Sequence, residues 1–406
     1  MGRERVLLTE GSSLTAREFV TVLGIRGFEV EVASPSRFPL ASFSRWCRAV
    51  HRLPPAGTDP VGYLRALDAL LATGRYEALL ATHEQAWLLA AGQRHLPHAT
   101  GRLAVASAEA FARVQSKIAF ASLCDQLAIP QPTWSEVREE EDLDRIEYPV
   151  WVKAAHSTAG RGVRRARTRA EAVSAWRGLA HAGAEGAGVM VQAPAAGAYR
   201  QVAGLFEGGR LVAAACSQRI GTGAGGSAAA RLSVSDPDAV GVVTRLGAEL
   251  GWHGGLTCDY FRDDAGRNLF IECNPRTTEP ANAAAAGVDL PALSIALATG
   301  RPLPRRPLIA RAGARTRSTM ALALGAAEAR GTRRAVAGAL KRALTARPPL
   351  QGSREVLTPV LRDPPSAVAA LAGVGTVLVR PGAVTALAGG AVDAYAITPR
   401  TIARLA

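Results

Sequence analysis

Two apolar runs around a polar turn decide how this chain is read: Leu256-Thr257-Cys258-Asp259-Tyr260-Phe261, then Arg262-Asp263-Asp264-Ala265-Gly266-Arg267, then Asn268-Leu269-Phe270-Ile271-Glu272-Cys273-Asn274-Pro275-Arg276. β-Prone residues on both sides of an Asp/Gly turn predict a β-hairpin. If the turn is symmetric about positions 265 and 266, Asp259 stands opposite Glu272, and Asn274 follows on the same face two residues on. Two carboxylates directly across a ladder repel, so a hairpin selected for stability alone would avoid them. A divalent cation removes the objection. Oxygen-only ligands suit Mg²⁺ or Mn²⁺, and Mg²⁺ keeps several waters and is commonly shared with nucleotide phosphates. The alternative is a solvated acidic face. Cys258 and Cys273 fall together on the opposite side, where packing in the core is expected of them.

Working outward, only three of the 48 Lys and Arg residues are lysines: Lys117, Lys153 and Lys341. Lysine serves phosphate as a compact point charge, whereas arginine is a planar fork. Lys117 lies in an expected helix before Ile129-Pro130-Gln131-Pro132. Lys153 ends the strand Tyr148-Pro149-Val150-Trp151-Val152-Lys153. After it comes the small loop Ala154-Ala155-His156-Ser157-Thr158-Ala159-Gly160-Arg161-Gly162-Val163. Backbone N–H groups of such a loop can approach a phosphate. The loop has neither the Gly-Lys-Ser/Thr ending of a P-loop nor a dinucleotide Gly-x-Gly-x-x-Gly pattern. A short strand over residues 163–167 follows, then a helix whose start is marked by Thr168 and Glu171 as a capping box.

In this order these segments resemble the ATP-grasp superfamily over residues 107–302, and the Glu-x-Asn-Pro-Arg form at residues 272–276 is similar to carbamoyl-phosphate synthase large chains and biotin carboxylases. The resemblance implies ATP with Mg²⁺ (or Mn²⁺). Lys117 and Lys153 would contact phosphates, with Ser157, Gly160 and Gly162 in a mobile flap over them. Asp259, Glu272 and Asn274 would hold the metal, and Arg276 would face the reacting acyl-phosphate end beside Lys153 and Arg219. On the hinge strand Val189-Met190-Val191-Gln192-Ala193-Pro194-Ala195, Gln192 keeps a polar position, and the backbone of Ala193 and Ala195 would hold adenine. Tyr199 departs from the pattern: it stands where an acid for the ribose is expected, or it packs in the core.

The implied fold class is mixed α/β and α+β. It comprises an N-terminal Rossmann-like pre-ATP-grasp domain over residues 1–103, a two-subdomain ATP-grasp fold over 104–302 with its lid at about 130–190, and a basic C-terminal helical or α+β extension over 303–406. In the first domain, strands are expected at 5–9, 28–33 and 77–81 and a helix at 14–26. Ligands favour the carboxyl ends of parallel strands. Gly11, Ser12, Ser13 and His83 therefore either touch substrate or serve only as loop and cap residues. The loop at 219–227, with four glycines in six positions, either borders the acceptor substrate or is a connector. The arginine-rich stretch at 305–347 is a solvated helix face or dimer contact, or else is drawn to an anionic membrane surface or acidic carrier. Residues 366–379 are apolar but too short to cross a bilayer.

The formal net charge of +14 invites a nucleic-acid reading, but 5% aromatic content and the lack of a helix-turn-helix, zinc or RNA-binding signature argue against it. Five cysteines without a Cys-x-x-Cys pair fit reduced thiols, and no apolar leader precedes the first strand, so a cytoplasmic location is expected. The expected function is an ADP-forming carboxylate–amine ligase that activates a small carboxylate, an amino acid or related acid, as an acyl phosphate and transfers it to a small-molecule amine to form an amide, with a homodimer as candidate assembly. The alternatives are a carboxyphosphate-type carboxylase or carbamoyl-phosphate synthase-like enzyme, and a nucleotide-binding regulator or scaffold. No Met-Lys-Met biotin-carrier motif is present.

Overall fold

The computed structural model describes residues 4–158, 160–182 and 188–405. Ala159 of the glycine loop and residues 183–187 of the expected lid lie outside the described residues, as do residues 1–3 and 406.

The N-terminal sheet is parallel, with strands in the order Cys47–Arg52, Glu29–Ser34, Arg5–Leu8 and Ala78–Leu80. Of its two central strands, Arg5–Leu8 carries a continuous apolar run because both faces are covered, with Val6, Leu7 and Leu8 fully buried, whereas Glu29–Ser34 alternates the fully buried Val30 and Val32 with Glu29 and Glu31. Helix Leu14–Ile25 begins at Ser13, whose hydroxyl accepts from the Ala16 N–H at 2.9 Å. The carboxyl ends of Arg5–Leu8 and Ala78–Leu80 bring Glu10 and Thr82 together, the Thr82 hydroxyl donating to Glu10 at 3.2 Å. Element ends differ from the expected ones by a residue or two, the usual fraying margin.

A second sheet is antiparallel, ordered Trp134–Val137, Val189–Gln192, Val150–Ala154 and Val163–Ala166. Helix Arg169–Ala182 packs on it. The expected capping box forms by half: the Thr168 hydroxyl accepts from the Glu171 N–H at 3.3 Å, while the Glu171 carboxylate accepts from the N–H of Arg167 and not from that of Thr168.

The largest sheet has eight strands. From one edge they run Asn268–Asn274, Gly254–Arg262, Ala198–Glu207, Arg210–Thr222, Ala228–Val234, Arg315–Arg317 and Arg354–Glu355, with Leu308–Ile309 alongside Arg210–Thr222. The chain beyond residue 302 thus supplies three strands of this sheet: Leu308–Ile309 and Arg315–Arg317 precede helices Thr319–Arg330 and Arg333–Leu344, and Arg354–Glu355 lies between these and helices Ser366–Val379 and Val384–Tyr395. Its last residues return to the beginning of the molecule. Ile397 and Leu405 share a core with Leu7, Tyr63 and Leu64, and Arg17 pairs with Asp363 at 2.5 Å with neither side chain exposed. Among the described residues no helix is long and apolar enough to cross a membrane.

Candidate active site

The hairpin Gly254–Arg262/Asn268–Asn274 pairs Thr257 with Asn274, Cys258 with Cys273 and Asp259 with Glu272. Symmetry about positions 265 and 266 fails beyond that point: Tyr260 faces Phe270, one residue out of the expected register, because the ladder shifts between Asp259 and Tyr260. The extra residue, Ile271, is a β-bulge. Cys258 and Cys273 are buried in the core.

The two acids share a face but not an environment. The Asn274 amide donates to Asp259 Oδ2 at 3.3 Å, and Gln201, directly opposite Asp259 on strand Ala198–Glu207, donates to Oδ1 at 2.7 Å. Tyr199, two residues earlier on that strand, turns its hydroxyl onto Asp259. Its ring meets Phe261 edge-on at 5.6 Å and carries the Arg219 guanidinium at 4.4 Å. Burial, then the Glu272 charge, pushes the Asp259 carboxyl up to about 6. Burial alone would raise Glu272 too, but Lys117, 2.9 Å away, with Lys153 and Arg276 behind it, outweighs that and holds Glu272 below the usual carboxylate range.

This donor set fits a divalent cation. One carboxylate is kept ionised by lysine, and the other is crowded toward protonation for want of positive charge. No cluster of three or more His, Cys, Asp or Glu side chains forms among the described residues, so a cation on Asp259, Glu272 and Asn274 would draw its other ligands from water and phosphate, as Mg²⁺ does.

Lys117 is the first residue of helix Lys117–Gln126, which Ser116 caps. Its ammonium donates to the Ser157 carbonyl at 3.2 Å and its N–H to the Ala155 carbonyl at 2.8 Å, which fixes the base of the glycine loop. Lys153 donates to Gln192 Oε1 at 2.5 Å. Burial lowers its pKa to about 8 against the pull of Glu272, which leaves it charged at neutral pH. In the flap, a Cβ on Gly162 would lie 2.4 Å from that of Ser157, and Gly160 has φ +72°. Arg161 reaches the C-terminal helix, bonding the Gly389 carbonyl and Asp393 at 2.7 Å each. The Ala193 N–H already donates to the Thr133 carbonyl at 2.8 Å, so only its carbonyl is left for a ligand, with Ala195 partly exposed beside it. Arg219 donates to the Gly226 carbonyl at 2.6 Å, within its own glycine loop.

Besides Gln201, two buried groups near the site are not signalled by the sequence motifs. Arg231, 6% exposed, donates to Gln201 at 2.7 Å and to Ser217 at 3.1 Å and pairs with Glu279. A lone arginine inside the small apolar run at residues 228–232 was its only signal. Glu84, 7% exposed, lies 3.8 Å from Arg276.

No family model matches the sequence, and no curated protein matches it significantly. Solved structures do resemble it. The biotin carboxylase domain of Hydrogenobacter thermophilus 2-oxoglutarate carboxylase, solved with MgADP, ADP and bicarbonate, is 15% identical over 77% of this chain and 73% of that one, with a TM-score of 0.60. Carboxyaminoimidazole ribonucleotide synthase from Aspergillus clavatus, solved with ATP, is 14% identical over 78% and 82%, at 0.58. L-amino acid ligase from Bacillus licheniformis is 15% identical over 73% and 74%, at 0.53. All three share one architecture. The chain has the ATP-grasp fold. Within the ATP-grasp fold of this chain, Lys153 from the four-stranded antiparallel sheet and Lys117 from helix Lys117–Gln126 converge on Asp259, Glu272 and Asn274 of the largest sheet, with Arg276 just beyond it. Arg219 stands apart from that group, joined to it through Tyr199.

Proposed function

We propose that this chain is an ATP- and Mg²⁺-dependent carboxylate–amine ligase that activates a small carboxylate as an acyl phosphate and passes the acyl group to an amine, releasing ADP and phosphate. The observation that carries this reading is the in-register Asp259, Glu272 and Asn274 set with Lys117 bonded to Glu272 and Lys153 in the same field. Lys117 and Lys153 offer point charges to phosphate oxygens, already desolvated and oriented, so little reorganisation is needed as charge develops. Magnesium, when bound, neutralises the phosphates. A substrate carboxylate oxygen held by Arg276 is then placed to attack the γ-phosphorus with ADP as leaving group, and an amine afterwards displaces phosphate from the acyl carbon. The flap at residues 160–162 keeps water from the activated acid.

Carboxyphosphate chemistry is the second reading, favoured by the Asn274-Pro275-Arg276 run and by the bicarbonate bound in the Hydrogenobacter domain. The two separate in one assay of ADP release across a panel of carboxylates, amines and bicarbonate. The ligase requires an organic acid, and hydroxylamine intercepts its acyl phosphate as a hydroxamate without the native amine. ADP release that depends on bicarbonate alone moves the assignment to the second reading. AMP release overturns both, and no nucleotide turnover with any acid leaves a nucleotide-binding regulator.

A further inference from the structure

Ten buried side-chain polar atoms have no hydrogen-bond partner among the described residues, and six of them lie in three short segments. They are His83 Nδ1 and Gln85 Oε1, His156 Nδ1 and Ser157 Oγ, and Arg276 Nε and Thr278 Oγ1. Contacts gather these segments into one place. The Trp87 and His156 rings stack with centroids 5.4 Å apart and 6° between planes. Lys117 ties Ser157 to Glu272, four residues before Arg276, and Arg276 faces Glu84. Tyr395, from the C-terminal helix, stacks on His83 at 3.7 Å and lies in the field of Glu10, Arg276 and Glu84. A buried polar atom without a partner costs free energy, so six around one spot point to a ligand that completes them.

The chemistry of that ligand follows from Arg276 and Glu84. Both are more than nine-tenths buried, and their nearest nitrogen and oxygen are 3.8 Å apart, too far for a hydrogen bond. Buried charges are costly unless they are paired and hydrogen-bonded. An acid and a base set side by side without a direct bond match a molecule that carries both opposite charges itself. Arg276 presents an unused Nε for a carboxylate, in the fork geometry that binds carboxylates well. His83 is held neutral by burial and by Arg276, so it adds no competing positive charge beside Glu84.

Resting on the ligase reading, we propose that the activated carboxylate belongs to an amino acid, with its carboxylate on Arg276, its ammonium on Glu84 and its side chain walled by His83 and Tyr395. The ammonium stays protonated on Glu84 and has no lone pair to attack with, so the acceptor amine is a different molecule.

The test is hydroxamate formation with ATP, Mg²⁺ and hydroxylamine for matched pairs of acids: phenylalanine against 3-phenylpropionate, and alanine against propionate. At least one amino acid is expected to exceed its desamino partner about 100-fold or more in kcat/KM, since a site built to bind an N–H group rejects the analogue that lacks it. Glu84→Gln is expected to collapse that preference toward unity, with far-UV circular dichroism and the melting curve reporting the fold. Equal hydroxamate yields from both members of each pair overturn the amino-acid assignment and leave the ligase reading standing. Retention of the full preference by Glu84→Gln overturns the assignment of the ammonium to Glu84. No ADP and no hydroxamate from any acid overturn the ligase reading and this inference together.

Discussion

Asp259 and Glu272 face each other, yet only Glu272 has a lysine at 2.9 Å, and that asymmetry separates their mutants. Burial and the Glu272 charge push the folded Asp259 carboxyl up to about 6 from its ordinary 3.8, so its burial penalises folding as pH rises above 3.8, increasingly up to about 6 and constantly beyond. Two pK units correspond to about 3 kcal/mol. Asp259→Asn is therefore expected to abolish turnover while raising the melting temperature at pH 7 without divalent cation, and to leave it unchanged near pH 3. Glu272→Gln should also abolish turnover but give no such gain, because it leaves the buried Lys117 unpaired. A thermal-unfolding series against pH checks both, and a less stable Asp259→Asn at pH 7 would show that the crowding is not real. Lys153→Met should cost tenfold or more in kcat/KM for ATP, since a hydrogen bond to a charged group is worth about 1.5 to 3 kcal/mol; the exposed Lys341→Met should change nothing. With its proton leaving at about 8, Lys153 also makes the KM for ATP rise above that pH. The acid pair and the lysines were legible because alternation and scarcity are local signals. Gln201, Arg231 and Glu84 were not, since strand pairing and domain packing far along the chain set their places.

The bulge at Ile271 shows what a hairpin does when one face must be a site and the other a core. Along a regular strand Phe270 would share the face of Glu272. The extra residue flips it, and Phe270 stacks on Tyr260 at 5.2 Å with both rings fully buried, while Glu272 stays with Asp259. Symmetry of the turn gave the correct partner at the site and the wrong one a single residue nearer the turn, at Tyr260, because alternation cannot reveal an inserted residue. The flap carries a different constraint. A side chain at Gly162 would collide with Ser157 and Ala154, whose Cβ atoms lie 2.4 and 3.1 Å from where its own would be. Gly162→Ala is accordingly expected to lower kcat/KM for ATP tenfold or more with little change in melting temperature. Loss of stability without loss of nucleotide affinity would move the constraint from ligand to packing. The Arg161–Asp393 pair, with both partners well exposed, contributes at most about 1 kcal/mol, so it ties residues 160–162 only weakly to helix Val384–Tyr395.

At the scale of the molecule, three strands of the N-terminal sheet and helix Leu14–Ile25 were readable from their own residues, but strand Cys47–Arg52, helix Pro60–Ala72 and the completion of this core by residues 397 and 405 were not. Nothing local in a C-terminal run marks a partner hundreds of positions away. The Arg17–Asp363 pair is the sharpest case, buried on both sides and seconded by the Arg45 N–H at 2.7 Å from Asp363. Asp363→Asn should destabilise the protein by about 3 to 5 kcal/mol, the usual result of stranding one buried charge, measured as a shift in denaturant midpoint at unchanged slope. A smaller effect would mean that water reaches Arg17. The same pair sets a clock on biosynthesis. Asp363 follows Arg17 by 346 residues, which at about 5 to 20 residues per second is roughly 20 to 70 seconds of translation. Throughout that interval the N-terminal segment exists without its far partners, the Arg17 guanidinium unpaired by Asp363 and the apolar residues that Ile397 and Leu405 cover still open to water.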